Sequence, residues 1–300
     1  MQSTSCDTWV EMPGHWKLFA RAWGEDPAAP AVAILHGLGD HSGRFERVGS
    51  TLAARGFSAY ALDLPGHGRS EGPRGHVRGW HDYRDALTRW MDLIQEKGRR
   101  RAWAFLGHSM GGLVALEWSH RHPGRVDALV LSAPPFELSL RPSSVKVHAA
   151  RLIGMVWPGF SQGNGIPPSL LTHDPEVIRA HRSDPYVHFR ISARLFLELQ
   201  AVRRRSTLLA PAHALPTLII QGGADPVASA LGSAAWARSA PSGVVLYREY
   251  PGLYHEVLNE PEGGRILDEV AEWLGANLRG GGPGGGSGGS SGGASRGTPS

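Results

Sequence analysis

The stretch from Trp103 to His120 leaves this chain little freedom. Trp103 to Leu106 reads as a short buried strand, and Met110 to His120 as a helix closed by Pro123. Between them stands Gly107-His108-Ser109-Met110-Gly111, a G-x-S-x-G pattern. A strand that becomes a helix across so few residues must turn a tight, strained corner. The glycines two before and two after the serine let strand and helix backbones approach, and Gly112 extends that clearance. The hydroxyl is then held out of a sheet with a helix N-terminus behind it. The plain alternative is a serine that merely caps the helix.

The same strand-then-helix rhythm runs through most of the chain. Trp9 to Trp23 suggests a hairpin around Met12-Pro13-Gly14. Ala31 to Leu35 is a strand feeding His36-Gly37-Leu38-Gly39, and a helix with Phe45, Val48, Leu52 and Ala53 stops at Gly56. Ser58 to Leu62 is a strand ending in Asp63-Leu64-Pro65-Gly66-His67-Gly68-Arg69-Ser70. A stripe from Tyr83 to Ile94 predicts a helix ending at Gly98, and Val126 to Leu131 another strand. Residues 137 to 210 show no buried strand, only short helical patterns between prolines. The longest spans Phe189 to Val202, and the arginine trios Arg99 to Arg101 and Arg203 to Arg205 suit helix C-termini. Alternation resumes with strands at Thr217 to Ile220 and Val244 to Tyr247, and helices at Pro226 to Arg238 and from about Glu262. The pattern predicts an α/β fold: a mostly parallel sheet covered by helices on both faces, with chemistry at the C-terminal strand ends. Residues 1–136 and 211–279 form the core, 137–210 a helical insertion, and 280–300 a Gly/Ser-rich tail that cannot build a core.

Thirty-one basic and twenty-seven acidic residues give a net charge of +4, yet no dense basic block marks a nucleic-acid partner. Cys6 is the single cysteine, which excludes an internal disulfide and a cysteine-based metal site. No run of apolar residues is long enough to span a bilayer. The first residues do not read as a secretory signal, so the expected location is the cytoplasm.

A serine needs a base to act as a nucleophile. His36, His67 and His108 lie in or beside strand-end loops, but His255 follows the last strand and can reach back over the sheet. Among acids, Asp63 precedes the serine and suits the fixing of its own loop; Glu137 belongs with the insertion; Asp225 lies just past the strand at Ile220. The order Ser109, Asp225, His255 suits this architecture. Asp225 also precedes Pro226, a favoured first-turn residue, and one carboxylate is not expected to serve fully as both cap and triad acid. The Met110 and Leu38 amides are the expected donors to a developing oxyanion.

Together these residues resemble the α/β-hydrolase fold, and more narrowly monoacylglycerol lipases and related lysophospholipases. The resemblance covers about residues 10 to 278. It rests on His36-Gly37-Leu38-Gly39-Asp40-His41-Ser42-Gly43-Arg44, on Asp63 to Ser70, on Gly107 to Gly112, and on Asp174-Pro175 through Asp184-Pro185. It implies Ser109 as nucleophile, Asp225 as acid, His255 as base, Leu38 and Met110 as oxyanion amides, and a lid made by residues 137–210. It implies no metal or organic cofactor. The substrate would be a lipid ester, lined by His36 and Gly37 from the core and by Met155, Trp157, Phe160 and Ile166 from the apolar lid. Exposed lid residues are candidates for peripheral contact with membranes or micelles. Short-chain carboxylesterase, acyltransferase and non-catalytic binding protein are the rival readings. No nucleotide motif is present.

Overall fold

The computed structural model describes residues 5–12, 16–96, 102–140 and 142–278. In chain order they form β1 (Cys6–Glu11), β2 (Lys17–Trp23), β3 (Ala31–Leu35), α1 (Glu46–Ala54), β4 (Ser58–Leu62), α2 (His81–Glu96), β5 (Trp103–His108), α3 (Met110–Arg121) and β6 (Ala128–Ser132). Then come α4 (Ser144–Val156), β7 (Ser161–Gly163), α5 (Pro175–Ser183), β8 (Arg190–Ser192), α6 (Ala193–Leu209), β9 (Thr217–Gly222), α7 (Ala230–Ser239), β10 (Val245–Tyr250) and α8 (Gly263–Leu278). The main sheet has the order β1-β2-β4-β3-β5-β6-β9-β10. Every neighbouring pair from β4 to β10 is parallel, whereas β2 runs antiparallel to both β1 and β4.

β3, β4, β5, β6 and β9 are buried along their whole length, as parallel strands covered on both faces must be. Successive residues alternate between two cores. Leu35, Leu62, Phe105, Leu131 and Ile219 pack with Trp90 of α2, Leu116 of α3 and Trp236 of α7. Ile34, Ala61, Leu106, Val130 and Ile220 pack with Leu52 of α1 and Val270 of α8. The register places Leu35 beside Gly107, His108 beside Ser132, and Ser132 beside Ile220. The C-terminal ends of β3, β5, β6 and β9 therefore share one rim.

Some boundaries differ from the sequence pattern. The helix expected over Phe189 to Val202 runs from Ala193 to Leu209, because Ser192 caps it by accepting from the Leu195 amide and Arg190–Ser192 is taken by β8. Arg203 to Arg205 thus lie inside α6 rather than at its end. The helix expected from Pro226 begins at Ala230, since Val227 and Ala228 fold around the Asp225 carboxylate. The insertion also holds β7 and β8, paired antiparallel and only three residues each, too short for a periodicity to show. The tail from 280 to 300, Pro13-Gly14, Gly98 and the trio Arg99 to Arg101 lie outside the described residues. Among the described residues no helix is long and apolar enough to cross a membrane.

Candidate active site

Ser109 sits at the corner between β5 and α3 with φ +50° and ψ −119°. A non-glycine residue there stores roughly 1–3 kcal/mol of backbone strain, kept because its surroundings over-determine it. The Ser109 amide donates to Ser132 O at 2.9 Å. A Cβ on Gly107 would come within 2.7 Å of Gly111 O, and one on Gly111 within 2.3 Å of Leu35 O and 2.6 Å of His36 O. The corner therefore requires both glycines, and α3 is pressed against the end of β3.

That contact brings the loop after β3 to the serine. A Cβ on Gly37 would lie 3.4 Å from Ser109 Cβ. His36 fixes this loop from below: the Leu64 amide donates to its Nε2 at 2.9 Å, so its Nδ1–H donates to Gly37 O at 2.7 Å. Asp63 holds the neighbouring loops, accepting from the amides of Ser42 at 2.6 Å and Arg69 at 2.7 Å. Its work is the loop-fixing expected of it. Among the described residues the Leu38 and Met110 amides donate to no protein acceptor.

His255 Nδ1 stands 2.8 Å from Asp225 Oδ2, and both side chains are buried. This leaves the other ring nitrogen of His255 free of that contact, and His255 and Ser109 line the same cleft. Among the described residues no hydrogen bond yet joins Ser109 Oγ to His255. Such bonds are often long before substrate arrives and tighten afterwards. Asp225 caps no helix, since α7 begins at Ala230 with Ser229 as its cap; its carboxylate instead holds its own loop as well as His255. Oδ1 accepts from the Val227 amide at 2.8 Å and the Ala228 amide at 2.9 Å, while Oδ2 takes His255 and Gln221 Nε2, the latter at 2.8 Å. A carboxylate has lone pairs on both oxygens, so the two roles divide between them.

Burial works against the charge on Asp225, but His255 and the two amides outweigh it and hold the carboxyl below its ordinary range. Burial likewise disfavours a charged His255; Asp225 and then Glu256 overcome this and raise its pKa. His108, whose ring centre lies 4.9 Å from that of His255, is pushed down to about 4 by burial and by the neighbouring imidazole. Among the described residues no group of three or more His, Cys, Asp or Glu side chains is arranged to hold a metal ion.

The cleft measures about 480 Å³ including its mouth. The core contributes Gly37, Leu38, Asp40, Arg44, His108, Ser109, Val227, His255 and Glu256; the insertion contributes Asn164, Ile166, Leu171, His181, His188 and Phe189. Of the six residues expected to line substrate, Gly37 and Ile166 line this cleft. His36 is fully buried behind the loop it braces. Met155 and Trp157 are 74% and 64% exposed, Phe160 is also exposed, and none of the three lines the cleft. Apolar composition alone could not tell the inner face of the insertion from its outer one. Asp40, Arg44, Glu256, His181 and Gln221 escaped the sequence reading as site residues. Asp40 and Arg44 do stand within the motif after β3, and Glu256 adjoins the base, which was the available signal.

The insertion is fastened over the rim by polar contacts. His41 Nε2 is 2.9 Å from Asp184 Oδ2, and the His188 amide donates to Gly39 O at 2.9 Å. Glu260 is buried and accepts from the amides of His173 and Tyr254 and from the Thr172 hydroxyl, with His173 Nδ1 at 3.0 Å.

The chain is similar in sequence and in fold to known proteins. The family profile described as serine aminopeptidase, S33, matches residues 26–262. The chain is 33% identical over 267 residues to a monoacylglycerol lipase of Mycolicibacterium smegmatis, across 88% of this chain and 95% of that one. It is 30% identical to the phospholipase YtpA of Bacillus subtilis, across 80% of this chain and 93% of that one. The crystal structure of Paleococcus ferrophilus monoacylglycerol lipase superimposes with a TM-score of 0.79 at 29% identity, covering 87% of this chain and 99% of that chain. Profile, sequence and fold agree over nearly the whole described length, and the chain belongs to the serine aminopeptidase S33 family of α/β hydrolases, alongside the monoacylglycerol lipases.

Proposed function

We propose that this chain is a serine esterase cleaving carboxylic esters of lipids, foremost monoacylglycerol to fatty acid and glycerol. The observation that carries the reading is the buried Asp225–His255 contact opening onto the same cleft as the strained Ser109. Relatives named as monoacylglycerol lipases support the substrate class.

In this mechanism His255 Nε2 takes the Ser109 proton as Oγ bonds to the ester carbonyl carbon. The Leu38 and Met110 amides receive the oxyanion. Asp225 keeps the ring in the required tautomer and stabilises its charged form. The carbon–oxygen bond to the alcohol breaks, and the alcohol leaves with the proton from His255. Water then gives a proton to His255 and its oxygen to the acyl carbon; the acid departs and Ser109 regains its proton.

The phospholipase relative favours a second reading in which a lysophospholipid is the preferred ester. Residues 137–210 act as a lid in either case. Leu152, Met155, Val156 and Trp157, all exposed at the end of α4, would meet a micelle or membrane surface. Ser109→Ala is the deciding experiment. It is expected to fold normally and to lose nearly all turnover of monoacylglycerol and of p-nitrophenyl esters. A folded variant with ordinary ester hydrolysis would refute the assignment. A panel of head groups then separates monoacylglycerol from lysophospholipid.

A further inference from the structure

We propose that Glu256 is a positioning residue for the base: paired with Arg44, it ties the loop carrying His255 to the loop carrying the Leu38 amide and keeps a negative charge beside the imidazole. This rests on the reading of Ser109, Asp225 and His255 given above. Glu256 directly follows His255, and its side chain is 5% exposed. Arg44 Nη1 lies 2.9 Å from its Oε1, and Arg44 Nη2 2.6 Å from its Oε2. Two parallel charge-assisted bonds fix orientation as well as distance. Asn259 Nδ2 donates to Oε2 at 2.8 Å. The same guanidinium reaches Asp40 Oδ1 at 3.2 Å, two residues beyond Leu38.

Burying three charges is expensive, and well-packed apolar residues in their place are often as stable or more so. Stability alone therefore does not explain the cluster. All three residues line the cleft with Ser109 and His255. Two carboxylates against one guanidinium give a cluster of net charge −1 that lines the same cleft as His255, with Glu256 next to it in sequence. The other groups around the base are Asp225 from the loop after β9 and His108 from β5, which burial keeps neutral; His181 of α5 faces Arg44, and burial lowers its pKa as well. Glu256 adds to Asp225 in favouring a charged His255.

The test is Glu256→Gln, with kcat, KM and the pH profile measured on p-nitrophenyl butyrate alongside thermal unfolding. The kcat is expected to fall about tenfold with KM little changed, as displacement of a base does. The acid limb of kcat/KM should move down by roughly half a pH unit, because a favourable charge near the imidazolium is gone. Asn259→Ala touches the same carboxylate without removing its charge and should leave the limb in place. If Glu256→Gln does not fold, Arg44→Met with Glu256→Met replaces the pair by apolar chains; kcat should still fall, since the link between the loops is lost. An unmoved acid limb with unchanged kcat, or a folded double variant of full activity, overturns the proposal. Absence of ester hydrolysis by the wild type, or of a fluorophosphonate adduct on Ser109, would instead overturn the parent reading and this one with it.

Discussion

One oxygen of Asp225 faces His255 Nδ1 at 2.8 Å while the other accepts the amides of Val227 and Ala228. Asp225→Asn should separate these tasks. The amide oxygen can still hold the loop, but its NH2 group meets His255 and Gln221 Nε2, both donors in the present arrangement. The ring is driven to the wrong tautomer. Turnover is expected to fall by about 10⁴ with the fold retained, the scale seen when a triad aspartate becomes asparagine elsewhere. Steady-state kinetics with circular dichroism would check it; near-normal turnover would contradict the assignment.

The base must be neutral to accept a proton. Since Asp225 and Glu256 raise the His255 pKa above its ordinary 6.5, the acid limb of kcat/KM should lie above that value. Stability follows a different balance. The raised His255 contributes stability below 6.5 that is lost as pH climbs through its folded pKa, whereas Asp225, held below 3.8, contributes stability above that value that is lost as pH falls through its own. His108, His188 and His213 are each pushed down to about 4, chiefly by burial. The unfolded chain binds protons that these three refuse, so stability should decline between pH 6.5 and 4. Urea midpoints measured against pH would show this; a flat profile over that window would contradict it.

Gly111→Ala places a methyl group 2.3 Å from Leu35 O. Backbone cannot swing aside as a flexible side chain does, so α3 must shift against β3. A cost of about 1–3 kcal/mol is expected, with loss of activity from a displaced Ser109. Gly264→Ala, in the first turn of α8 with no atom within 4 Å of the added carbon, should be neutral or stabilising. Thermal unfolding of the pair distinguishes contact from composition.

Glu260 gathers donors from the insertion and from the His255 loop at once. Glu260→Ala leaves the His173 and Tyr254 amides short of an acceptor, while the Thr172 hydroxyl keeps Asn259 O at 2.9 Å. A loss of roughly 3 kcal/mol is expected, with faster proteolysis within 171–173 than in the wild type. Limited proteolysis and denaturant titration report both; unchanged cleavage would mean that the clasp lies elsewhere.

Met155, Val156 and Trp157 form an exposed apolar end of α4. Changing all three to serine should weaken binding to phosphatidylcholine vesicles and slow hydrolysis of emulsified monoacylglycerol. Hydrolysis of water-soluble p-nitrophenyl butyrate should be unchanged, since none of the three lines the cleft. Equal losses on both substrates would mean that these residues shape the cleft instead.

The serine corner could be read because its constraint is local. Gly107, Ser109 and Gly111 fall within five residues, and the strand and helix around them declare themselves by periodicity. Buried parallel strands such as β3 and β5 likewise announce themselves as short apolar runs bounded by breakers. The insertion resisted because Met155 and Ile166 are equally apolar in sequence, yet one faces solvent and the other the cleft.

The chain's own residues determined the order of strands and helices in the core, the strained serine, and which acid and histidine stand at strand ends, since each follows from local sterics and burial pattern. Tertiary structure alone decided which oxygen of Asp225 meets His255, that Arg44 joins Asp40 to Glu256, and which side of α4 stays wet. Those outcomes depend on distances between segments up to 212 positions apart, as for Arg44 and Glu256, and no local preference encodes such a distance.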